Sequence, residues 1–179
     1  TTLVTNMKSM FQNCKSLASL DLSSFKVQNV TNAEYLFKDC ESLKSLNLTN
    51  FITSKINSTK EMFYGCKSLT DLKIPKFVTS NVLSMARMFY DCSSLPILVL
   101  NNFDTHLVRN MSYMFFHCDN LSSLDISKFN TGQVLSMESM FKNWRSLTSL
   151  NILNFNTEKV KDMGNMFCLC SSLKRINIS

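Results

Sequence analysis

The feature that most constrains this chain is that it repeats itself. Phe stands at 11, 37, 63, 89, 115, 141 and 167, each step 26 residues, without an insertion or deletion in the 179-residue sequence. Other columns keep the same step. Cys14, Cys40, Cys66, Cys92, Cys118 and Cys170 share one, with Trp144 as its exception. Leu17 to Leu173 fill a second without a break, and Leu20 to Ile176 a third. Leu22 to Ile178 make a fourth, and Phe25 to Phe155 a second aromatic column. A β-branched column runs Val4, Val30, Ile56, Val82, Val108, Val134, Val160; the seven units are counted from it below. A period of this length implies stacked units that cannot bury their apolar faces singly and make one continuous core together.

Within the unit, two hydrophobic periods alternate. Val82, Met85, Met88, Phe89 and Cys92 are spaced by three, three, one and three, which predicts a short helix or a pair of helical turns. Leu121, Leu124 and Ile126 end at period two, which predicts a short strand. A helical turn plus a strand in every 20–29 residues or so is the leucine-rich-repeat pattern. The expectation is therefore an α/β repeat: one solenoid over 1–179, with a short parallel sheet on one face and short helices on the other. The Thr column (Thr1, Thr53, Thr79, Thr105, Thr131, Thr157) and the Ser column (Ser16, Ser42, Ser68, Ser94, Ser146, Ser172) are expected to satisfy backbone groups at turns.

The consensus M-x-x-M-F-x-x-C-x-S-L-x-x-L-D-L-S-x-F-x-T, standing almost letter for letter in Met7–Thr31, Met111–Thr131 and Met137–Thr157, resembles the 26-residue repeat of bacterial surface proteins, a branch of the BspA-like leucine-rich repeats. Departures are Ala33, Thr59 and Leu36 in the Met columns, Trp144 in the Cys column, and Lys73-Ile74-Pro75 in place of Asp-Leu-Ser. The resemblance implies a cell-surface protein, often lipid- or wall-anchored, with adhesive or host-binding roles and no catalytic residues.

Composition narrows the partners. Net charge is +6 with dispersed lysines, which a soluble surface explains without nucleic acid. Only three Gly and two Pro leave few special turns for a hairpin-rich sandwich. No stretch approaches the ~20 apolar residues of a membrane helix, so no insertion is expected within this chain. The lack of an initiating Met suggests a fragment of a longer array whose signal and anchor lie elsewhere.

Catalytic and cofactor chemistry is not expected. A straight ladder of cysteines does not converge as a tetrahedral metal site must, so the column should pack as small buried thiols. Cys168 is the exception, in a column expected to be exposed. The eleven Met fall at core spacing, and His106 and His117 have no nucleophile at a useful distance in the sequence.

The information in a repeat lies in its variable columns. Outward positions on the strand are mostly small or polar, but the fourth unit puts Ile97 and Val99 there beside Asp71 and Lys73 of the third, an apolar spot with a charged rim. On the opposite side Tyr64, Tyr90 and Phe116 follow one another in one column, with Arg87 and Tyr113 in an adjacent one; they suit a glycan or protein, or each other. The expected activity is non-enzymatic binding of a protein, of the host or a second copy, with glycan as a further possibility. The alternative is a structural spacer or self-associating stalk, since both ends fall in mid-unit with strand edges open.

Overall fold

The computed structural model describes residues 2–178; Thr1, the first member of the Thr column, and Ser179 lie outside the described residues. The units stack in sequence order. Five three-residue strands form at the expected leucine positions: β1 (Ser19–Asp21), β2 (Ser45–Asn47), β3 (Asp71–Lys73), β4 (Ser149–Asn151) and β5 (Arg175–Asn177). They pair in parallel with register exactly one unit apart, Leu20 against Leu46 against Leu72, and Leu150 against Ile176.

The helices expected on the other face are absent: no residue among those described is helical. The reason lies in the backbone. Each unit holds two residues in the left-handed region, four apart, among them Ser9 and Asn13, Arg87 and Asp91, Tyr113 and His117. A left-handed residue cannot continue a right-handed helix. Hydrogen bonds in this segment therefore alternate. In unit four, the N–H groups of Met88, Tyr90 and Cys92 close local turns onto the carbonyls of Met85, Arg87 and Phe89. Those of Met85, Arg87, Phe89 and Asp91 reach across to Asn110, Ser112, Met114 and Phe116 of the next unit at 2.8–3.0 Å. Overlapping turns also return side chains to one face every three or four residues, so they imitate a helix in the hydrophobic pattern. The conformation costs about 1–2 kcal/mol for each left-handed residue other than Gly. Three or four cross-unit bonds at each such interface, worth about 0.5–1.5 kcal/mol apiece, offset it.

The sheet is likewise not continuous: strands form in units one to three and six to seven, and not in four and five. Where it is intact, the residue before the strand donates to the preceding unit, as from Lys44 to Ala18 and from Thr70 to Lys44 at 2.9–3.1 Å. Unit four has Pro96 in that column, and proline has no N–H to give.

The core is a set of ladders. The first Phe column stacks with centroids 5.4–5.8 Å apart from Phe11 to Phe167. All seven cysteines are free. Cys40, Cys66, Cys92 and Cys118 are buried, and these four and Cys170 each donate the thiol to the Phe carbonyl 29 residues earlier, as from Cys92 to Phe63 at 3.2 Å, while Cys168 is exposed, as its column suggested. Trp144, in place of one of them, packs on Phe115 and Phe141 and gives its indole N–H to Leu121. Thr53, Thr79, Thr105 and Thr131 are buried and donate to carbonyls of the following unit at 2.7–2.9 Å, as their column suggested. The Ser column does not do so through its hydroxyls, and Ser146 Oγ is buried without a partner.

Candidate binding surface

A turn recurs where the chain leaves the strand column. In units one, two, five and six, an Asp or Asn at the third position of that column accepts from the backbone N–H two residues on: Asp21 from Ser23, Asn47 from Thr49, Asp125 from Ser127, Asn151 from Leu153, at 2.8–3.2 Å. This local side-chain bond fixes the chain as it leaves the sheet. The strongly hydrogen-bonded carboxyls of Asp21 and Asp125 are held below the usual Asp range by these Ser23 and Ser127 contacts.

Units three and four both lack it. Unit three has Lys73 where the acceptor belongs and Pro75 where the donor belongs; unit four has Val99, followed by Asn101 with no acceptor for its N–H. At this place the surface opens into a shallow groove of about 270 Å³ lined by Leu72, Lys73, Ile74, Pro75, Val99 and Asn101. Ile97 and Val99 are 71% and 62% exposed on the same face. Lys73 pairs with Asp71 at 3.7 Å, and Asp71 also accepts from Ser45 at 3.1 Å. The structure thus brings Lys73 and Val99 together at one groove, while Asp71 reaches it only through its pair with Lys73 and Ile97 is exposed two residues before Val99. Sequence reasoning missed Pro75 and Asn101 here, and Pro96 behind the open ladder. The signal lay in the columns: Pro96 among Ala18, Lys44, Thr70, Ser122, Thr148 and Lys174, and Lys73 and Val99 among Asp and Asn.

The aromatic column is arranged differently. Tyr64 stacks on Tyr90, and Tyr90 on Phe116, both at 4.4 Å and nearly parallel. Lys38 lies 4.6 Å from the Tyr64 centroid. Tyr113 tilts against Tyr90 and Phe116 and carries the Arg87 guanidinium 4.8 Å above its own ring. Glu61, buried beneath, holds Lys38 at 2.6 Å and Arg87 at 3.7 Å. Burial, with the neighbouring Tyr64, pushes the Tyr90 phenol above its ordinary pKa, and the hydrogen bond to Glu138 does the same for Tyr113. Tyr90 is covered by rings on both faces, Tyr64 carries Tyr90 and Lys38, and Tyr113 carries Arg87, so most ring faces in this cluster are packed; Phe116 is stacked on its Tyr90 side. His117 bridges Asp91 and Asp119, each at 3.0 Å, and His106 contacts Asp104 at 2.7 Å. Among the described residues no three His, Cys, Asp or Glu converge as a metal site, and no helix is long and apolar enough to cross a membrane.

Stacked 26-residue units, joined by turn ladders and a broken parallel sheet, define a non-helical repeat solenoid. A family model described as "Mycoplasma protein of unknown function, DUF285" matches residues 1–97 and again 84–178, and the chain belongs to that family. A leucine-rich repeat protein from Bacteroides ovatus, known from its crystal structure, is similar over 98% of the chain at 17% identity, with a TM-score of 0.38. The chain spans 59% of that protein's length. No curated protein matches it. The family shown is DUF285, and not the BspA-like branch.

Proposed function

We propose that this chain is a non-enzymatic interaction module, displayed at a cell surface, that binds a protein through the face formed by units three and four. The observation that carries the reading is the coincidence of three departures in those two units: a proline that breaks the ladder, loss of the strand-closing turn, and two aliphatic side chains turned to solvent. An apolar spot with a polar rim, on a face otherwise small and polar, is what a binding hot spot requires. Display at the surface and an adhesive role rest on the resemblance of the repeat to bacterial surface proteins. The aromatic cluster supports the reading less, because most of its ring faces are already packed.

The test is a binding screen of the purified chain against host extracellular proteins and whole cells at two salt concentrations. The expected result is saturable binding that survives high salt and is lost in the Ile97→Ser/Val99→Ser double variant, while its unfolding midpoint is unchanged and a Tyr90→Ser variant still binds. Binding equal in the Ile97→Ser/Val99→Ser variant, or binding that disappears with salt, would favour a spacer instead.

A further inference from the structure

We infer that the groove between units three and four receives a partner's carboxylate beside an apolar side chain, the carboxylate taking the acceptor position that Val99 leaves empty at the Asn101 N–H. This rests on the interaction-module reading and adds the chemistry of what is bound. In four other units a side-chain oxygen caps the equivalent N–H. In unit four the residue at the acceptor's position is a valine, so the amide is left to an acceptor from outside. In unit three the corresponding residue, Pro75, has no N–H, so units three and four together offer one open donor, that of Asn101.

The surroundings select the charge and shape of that acceptor. Lys73 stands on the groove, and its one ion-pair partner among the described residues, Asp71, is at 3.7 Å with both side chains largely in solvent, a contact that leaves most of the ammonium's capacity free. Lys76, next to Pro75, is exposed and makes no ion pair among the described residues. A cationic rim and an uncapped backbone N–H together fit a carboxylate better than a neutral amide. The walls, Leu72, Ile74, Pro75 and Val99, are apolar. A volume of about 270 Å³ lies just under the ~300–1,000 Å³ of whole small-molecule sites, which suits one anchoring side chain of a larger partner. The occupant is thus an exposed peptide segment of a protein in which an acidic residue adjoins a large aliphatic one.

The probe is a capped leucyl-aspartate dipeptide, with capped leucyl-asparagine as its neutral counterpart, titrated into the ¹⁵N-labelled chain. The aspartate peptide should shift the Asn101 amide saturably, and the asparagine peptide should bind at least tenfold more weakly. Val99→Asn restores the capping oxygen from within the chain and should abolish the shift without lowering stability. Lys73→Gln should weaken binding severalfold. The proposal is overturned by an Asn101 amide that does not respond, by equal affinity for the two peptides, or by full binding to Val99→Asn. Should host-protein binding be lost in the Ile97→Ser/Val99→Ser variant yet survive in Val99→Asn, the carboxylate assignment fails and the interaction module stands.

Discussion

At the scale of single residues, the molecule depends on conformations that most side chains avoid. The second left-handed position in each unit is held by Asn13, Asp39, Gly65, Asp91, His117, Asn143 and Leu169, chiefly residues that tolerate it. Gly65 is the glycine among them, at φ 69°, and a Cβ there would run into the Asp39 carboxylate. Gly65→Ala should therefore cost about 1–2 kcal/mol. Urea denaturation would register it as a lower midpoint at unchanged slope; no change in midpoint would contradict the left-handed assignment. The core columns were legible at this scale because burial demands the same residue type in every unit. The left-handed pairs were not, because Tyr35, Glu61, Arg87 and Tyr113 occupy the first of them against their own preference, held there by bonds to the neighbouring unit.

At the scale of elements, the sequence showed where strands begin and misled about what lies opposite them. The spacing of Met85, Met88, Phe89 and Cys92 is helical, and what decides against a helix is where alternate N–H groups find acceptors, a fact about the adjacent unit that a one-dimensional pattern does not contain. The break in the sheet was readable in principle from Pro96. Pro96→Thr returns an N–H to the position from which Thr70 donates to Lys44. A new bond worth about 1 kcal/mol is roughly cancelled by the ~0.4–1 kcal/mol that proline saves by restricting the unfolded chain. Global stability should hardly move, while amides of units four and five gain protection from hydrogen exchange. Unaltered exchange there would place the origin of the break in Lys73-Ile74-Pro75 instead.

At the scale of the whole molecule, the cysteine ladder makes stability depend on pH in a definite direction. Burial pushes the Cys40 thiol up to about 11 and holds Cys66, Cys92 and Cys118 well above the ordinary thiol range too. In the unfolded chain thiols titrate near ~8.5. Below that pH both states keep their protons and these groups leave stability constant. Above it the unfolded chain releases protons that the folded one retains, so stability falls as pH rises toward the folded values, by about 1.4 kcal/mol per thiol per pH unit. Urea midpoints should be flat from about pH 6 to about 7.5, begin to fall as the pH approaches the unfolded value and decline steadily above it. A decline no shallower in Cys66→Ala/Cys92→Ala would assign it to other groups. The candidate surface was legible at this scale only in part. Ile97 and Val99 stand out in their columns, but the uncapped Asn101 N–H emerges only when one unit's turns are compared with those of the other units in three dimensions.

The alternation of hydrogen bonds in the turns separates two kinds of motion residue by residue. Tyr90 is closed within its own unit, while its neighbours Phe89 and Asp91 are closed only against the next one. The amide of Tyr90 is therefore freed when a single turn loosens, and those on either side of it when two units part. Consecutive amides along one short segment become separate gauges, one of a unit's integrity and the other of its adhesion to the next. In a solenoid, whose stability is the sum of those two quantities, the backbone itself keeps them apart.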